Sequence, residues 1–107
     1  MFDIYRSDWY QKKLDALERV ERDRVMVFEQ HLKNEPFSGK PLSYKFIREK
    51  KFNGNRLIFL IYEELKSILL VTITDKKRQK EDIHFIKAHL SEYKVAIEDA
   101  IRKSKFS

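Results

Sequence analysis

Two nearly unbroken apolar runs, Leu57–Tyr62 (LIFLIY) and Ile68–Thr74 (ILLVTIT), constrain this chain more than any other feature. Both are short and rich in β-branched and aromatic side chains, which favours strand over helix. A strand that is apolar on both faces must be covered on both faces, so the pair belongs at the centre of a sheet. Before the first run stands Phe52-Asn53-Gly54-Asn55, and Asn and Gly accept the positive φ of a tight turn. Glu63, Glu64 and Lys66 make a second turn between the runs. Upstream, the stretch from Tyr44 alternates apolar groups with Lys45, Arg48, Lys50 and Lys51. Residues 44–74 thus read as three consecutive strands, and the first sets charge beside a buried scaffold.

The flanking segments read as helices to cover that scaffold. Phe2–Arg6 alternates and predicts a short first strand, and Ser7 or Asp8 is a suitable helix N-cap. From there to Asn34, the spacing of Tyr10, Leu14, Leu17, Val25, Phe28 and Leu32 predicts one long amphipathic helix or a helical hairpin, with Glu18–Arg24 at any bend. Trp9, on the first turn, reads as a packing residue. Pro36 ends the helical region, and Phe37–Leu42 reads as a loop. After the basic run Asp75–Lys80, the stripe Ile83, Ile86, Leu90, Tyr93, Ile97 and Ile101 predicts a closing helix from 79 to about 103. Leu90-Ser91 is a candidate local break in it, and residues 104–107 are expected to fray. The expected fold is α+β: an N-terminal helix or helical hairpin and a C-terminal helix packed on a small, mostly antiparallel curved sheet. Its length of 107 residues suits a single domain spanning 1–107.

Charge narrows the partner. Residues 37–80 carry eleven Lys/Arg against four Asp/Glu, net +7, whereas 1–36 are net −1 and 81–107 are neutral. A surplus confined to the sheet and its flanks favours an anionic partner such as nucleic acid. Cysteine is absent, which removes disulfides, thiolate chemistry and cysteine–zinc sites. His31, His84 and His89 lack metal-ligand spacing, so no metal is expected. Neither a nucleophilic-serine motif nor a phosphate-binding glycine loop occurs, and no cofactor is implied. No run approaches the ~20 residues of a membrane span, and a soluble cytoplasmic protein is the expectation.

What remains is phosphodiester chemistry by cations. Arg48, Lys50, Lys51 and Arg56 lie on neighbouring strands, with Lys76, Lys77 and Arg78 after the third, and pairing in order lets them converge at one end or face. Such a cluster binds RNA phosphates and stabilises charge on a phosphorane-like transition state, with the RNA 2′-hydroxyl as nucleophile. Lys50 or Lys51 is a candidate base, and His84 a candidate acid. Tyr44 and Phe52 are candidates for base stacking or for packing beneath the helices. Glu49 runs against a purely phosphate-binding face. Replacing Arg56 by alanine is expected to abolish activity with little loss of stability.

The chain resembles the RelE/ParE superfamily of small toxins from type II toxin–antitoxin systems. The resemblance spans nearly the whole chain and rests on several features. These are the helical N-terminal third, the loop Gly39-Lys40-Pro41-Leu42, the basic strand, Asn55-Arg56-Leu57-Ile58-Phe59, and Ile68–Ile73 followed by basic residues. It implies metal-free cleavage of mRNA on the ribosome, as in RelE-like members, or inhibition of DNA gyrase, as in ParE-like members. The first is preferred, with a cognate antitoxin, the ribosome and mRNA as partners and no membrane or small-molecule cofactor; the alternatives are the gyrase inhibitor and a catalytically inactive binding member of the family. Carried over by position, Arg48, Lys50, Lys51, Arg56 and Arg78 are the implied catalytic residues, and Lys45, Lys76 and Lys77 the implied RNA-binding ones. Many RelE-like nucleases hold a catalytic Tyr or His shortly after the last basic residue. Gln79–Asp82 offers neither, and His84 lies just beyond.

Overall fold

A computed structural model describes residues 1–106. The five strands are β1 (Asp3–Arg6), β2 (Lys40–Leu42), β3 (Tyr44–Phe52), β4 (Asn55–Tyr62) and β5 (Ser67–Asp75). The helices are α1 (Asp8–Asp15), α2 (Arg19–Leu32), α3 (Gln79–Ala88) and α4 (Leu90–Phe106). The sheet order is β1-β5-β4-β3-β2, with β1 parallel to β5 and every other pair antiparallel. The two apolar runs therefore occupy interior positions, as their lack of a polar face requires.

Both faces of β4 and β5 are covered, by different helices. Leu57, Phe59 and Ile61 face a core shared with Tyr10 and Leu14 of α1 and Val25 and Leu32 of α2. Ile58, Leu60 and Tyr62 point the other way, into a core shared with Ile86 of α3 and Ile97 of α4. A bulge lies opposite the Ile58/Phe59 step, where Thr72 pairs with Ile58 but Leu70 with Phe59. Val71 is the extra residue, and it reverses the alternation. Ile68, Leu70 and Ile73 all reach the α1–α2 core, while Thr72 is set on the α3 face beside Ile58.

Local chemistry explains the element ends. The Ser7 hydroxyl accepts from the Tyr10 amide at 3.0 Å and donates to the Val71 carbonyl at 2.6 Å, capping α1 and tying it to β5. Asn53 (φ 43°) and Gly54 (φ 78°) form the two-residue turn between Phe52 and Asn55, the hairpin geometry that demands positive φ twice. Gly39 (φ 87°) has a second reason to be glycine: a Cβ there would sit 2.4 Å from the Glu49 carbonyl oxygen.

Four expectations need correction or completion. The N-terminal helical region is a hairpin, and it bends at residues 16–18 rather than within the charged run to Arg24. There the Leu17 amide bonds three residues back, to the Leu14 carbonyl, while Leu17 packs against the core. Part of the expected loop, Lys40–Leu42, pairs with β3 as a fifth strand. The closing segment is two helices, because the His89 ring Nδ1 takes the Phe85 carbonyl at 2.8 Å and the His89 amide bonds Ile86 instead. α4 runs past the expected end near 103, to Phe106, and Ser107 lies outside the described residues.

Candidate nucleic-acid interface

Antiparallel pairing sets Lys51 directly opposite Arg56, and Arg56 opposite Thr74, on the face covered by α3. Glu49 lies on the same face, diagonal to Arg56, with its carboxylate 3.9 Å from the Arg56 Nε. The Gln79 amide, on the first residue of α3, donates to that same carboxylate. Glu49 is 2% exposed and the Arg56 side chain 12%, so one carboxylate under the first turn of α3 opposes the arginine charge. The buried Arg56 Nε and Thr72 Oγ1 nonetheless find no hydrogen-bond partner among the described residues.

A separate open cleft lies along α3. The α3 helix runs antiparallel above β3: Gln79 touches Glu49, and Lys87 reaches the Ser43 hydroxyl at 3.2 Å and the Tyr44 ring at 5.5 Å. A cleft of about 650 Å³ is lined by Lys77, Lys80, Glu81, Ile83, His84 and Lys87, with Ser43 just ahead of β3. Lys80, His84 and Lys87 stand at i, i+4 and i+7, one face of a helix. Tyr44, 47% exposed, stacks on Phe46 with ring centroids 5.3 Å apart at the end of this groove. Cations beside an exposed aromatic pair suit a single-stranded nucleic acid.

The residues expected to act do not all converge. Arg48 and Lys50 alternate to the opposite face. The Arg48 guanidinium lies 5.3 Å from the Phe37 ring and donates to the Lys45 and Gly39 carbonyls, and the Lys50 ammonium lies 5.5 Å from the Phe28 ring. Lys45 also contacts the Phe37 ring, six residues and about 20 Å along β3 from Lys51. Lys76, Lys77 and Arg78 occupy the exposed β5–α3 turn, at the sheet end shared with Lys51 and Arg56 because Asn55 pairs with Asp75. Lys77 joins the groove, whereas Arg78 pairs with Glu81 at 3.8 Å. Phe52 packs against the α1–α2 core. Sequence reasoning assigned no role to Lys87, and it placed Lys80 only within a basic run. The helical spacing of Lys80, His84 and Lys87 was the available signal.

No protein-family profile matches the chain, and no curated sequence matches it significantly. Solved structures do. The isolated RelE toxin of E. coli superposes with a TM-score of 0.64 at 13% identity, covering 80% of this chain and 99% of that one. RelE in the intact E. coli RelBE toxin–antitoxin complex gives 0.65 at 13% identity, covering 70% and 96%. The archaeal RelE–RelB complex from Pyrococcus horikoshii gives 0.62 at 16% identity, covering 72% and 97%. The chain has the RelE-like α+β fold.

Proposed function

We propose that this chain is the toxin of a type II toxin–antitoxin pair and acts in the cytoplasm as a ribosome-dependent, metal-free mRNA endoribonuclease. The observation that carries the reading is the Lys51–Arg56 cross-strand pair on the face covered by α3, a helix whose Lys80, His84 and Lys87 line a basic cleft, on a fold shared with RelE toxins. In this reading Lys77, Lys80 and Lys87 hold phosphates along the groove, and Tyr44 stacks on a base. Lys51 and Arg56 neutralise charge on the pentavalent phosphorus as the 2′-hydroxyl attacks. The attack needs a base, and in this reading Lys51 takes that proton. His84 donates to the departing 5′-oxygen. Arg48 and Lys50, on the other face, shape the fold's surface there and take no part in the chemistry. A cognate antitoxin covers the basic groove until it is released.

The covering of Arg56 by Glu49 and α3 favours a second reading, a member of the fold that binds without cleaving. Induced expression in a bacterial host separates the two. The nuclease reading expects growth arrest with protein synthesis falling before DNA synthesis. Lys51→Ala, at an exposed position, should relieve the arrest through a roughly 10²–10³-fold loss in cleavage. Unimpaired growth on expression of wild type supports the binding-only reading, and loss of DNA synthesis first supports gyrase as the target.

A further inference from the structure

Four cations on the sheet face away from α3 take no part in that chemistry. The Lys45 ammonium and the Arg48 guanidinium lie 5.4 and 5.3 Å from the centroid of one ring, Phe37. Arg48 also donates to the Lys45 carbonyl, which holds it beside that lysine. Two residues further along β3, roughly 7 Å at strand spacing, the Lys50 ammonium lies 5.5 Å from the Phe28 ring of α2. One helical turn before Phe28, Arg24 donates to the Asn53 side chain at 3.2 Å, in the turn that ends β3. Lys45, Arg48, Lys50 and Arg24 thus form a band running from the start of β3 to its end. Lys45, Lys50 and Arg24 are exposed and Arg48 is half-buried. None of the four makes an ion pair among the described residues. Glu29, Glu21 and Glu64, on adjoining elements, hold Arg6, Asn55 and Lys94 instead, and the exposed Asp23 and Glu35 pair with none of the band.

The rings beneath this band are closed to a ligand. Phe28 and Phe37 pack against the α1–α2 core, and the cations cap what remains of them. On the α3 side, by contrast, Tyr44 is 47% exposed and open to a base. We propose that the band docks on the sugar–phosphate backbone of base-paired RNA. A duplex keeps its bases stacked inside and offers phosphates alone, which is all that capped rings and unpaired cations can meet. An unpaired strand would find no ring here on which to stack its bases. An acidic polypeptide would supply carboxylates, but exposed lysine–carboxylate pairs contribute little. Each phosphate neutralised on a duplex instead releases condensed counterions. The choice of RNA over DNA rests on the proposed function; the band itself requires no cleavage. The molecule then carries two RNA surfaces on opposite faces, one for an unpaired strand along α3 and one for a duplex along β3.

The probe is a short, blunt, fluorescein-labelled RNA duplex, and its anisotropy is followed over a salt series with the full chain. Lys45→Gln with Lys50→Gln removes two exposed charges and keeps the side chains' bulk. The pair should weaken duplex binding whatever the sequence and flatten the log–log salt dependence by about 1.8, or 0.9 for each lost contact. Lys80→Glu with Lys87→Glu, on the α3 side, should flatten it less. Duplex binding that depends on Lys45 and Lys50 supports the band even where the chain cleaves no mRNA. Cleavage without that dependence sinks the band and leaves the nuclease reading standing. An unchanged slope in the glutamine pair, or an equal flattening in the α3 pair, would overturn the assignment. So would displacement of the probe by polyglutamate as effectively as by unlabelled duplex, which would make this a surface for acidic polypeptide.

Discussion

At the residue scale, three side chains tie the α1–α2 hairpin to the sheet. Glu29, 4% exposed, accepts from Arg6 at 2.7 and 3.1 Å and from the Tyr10 hydroxyl at 2.6 Å. The Tyr10 phenol is pushed well above its ordinary value of 10.0, first by burial and then by its bond to Glu29. Burial likewise pushes Tyr62 up to about 12, with Glu64 adding to it. A phenol whose folded pKa is raised contributes stability that is complete below the unfolded value and lost as pH climbs beyond it. Unfolding free energy should therefore hold to about pH 10 and fall between there and pH 12. In Tyr10→Phe the fall should be shallower, which urea titrations across that range will show. An unaltered slope would contradict the account. Ser7 and Asn53-Gly54 were legible because each acts within four residues of itself. Glu29 was not, since its partners lie 23 and 19 positions away and meet it only after the chain folds back. Arg56 teaches the same lesson. Its ion pair and burial mean that Arg56→Ala also costs stability, on the order of 1–3 kcal/mol, contrary to the expectation from sequence. Lys51 is the cleaner probe of chemistry.

At the element scale, α3 links fold and site. Its inner residues Ile83 and Ile86 fill the second core, its first residue covers Glu49, and its outer stripe lines the groove. The apolar half of that pattern was legible from periodicity. The break was foreshadowed by Leu90-Ser91, but its position at His89 depends on a side chain competing for a single carbonyl. Strand β2 escaped notice because three residues flanked by Gly39 and Ser43 carry no alternation to read. Alternation also settles why the basic strand divides its charges. Neighbouring residues on β3 face opposite ways, so Lys50 and Lys51 can never share a face. If the stripe holds phosphates, Lys80→Glu with Lys87→Glu should weaken binding to single-stranded RNA uniformly across sequences. The log–log salt dependence should flatten by about 1.4, or 0.7 for each lost contact. Fluorescence anisotropy over a salt series measures both. An unchanged slope would remove α3 from the interface.

At the scale of the whole molecule, the surplus charge and the two covered faces are one design. Helices on both sides leave little of the β4–β5 surface to solvent, so cations gather where the covering ends: the β5–α3 turn and the outer stripe of α3. None of the described helices is long and apolar enough to cross a membrane. The RelE-like architecture was readable because strand interiors, turn residues and helical stripes are local patterns. The composition of the site was only half readable, because faces and coverings are set by register and by the angle at which α3 returns over the sheet. In the proposed reading, Lys51, Arg56 and the α3 stripe cut mRNA on the ribosome. Its most direct measurement is primer extension on mRNA recovered from cell-free translation with the purified protein. The account predicts new 5′ ends that appear only when ribosomes are present and vanish with Lys51→Ala. Intact mRNA with active wild-type protein, or cleavage undiminished by Lys51→Ala, would contradict it.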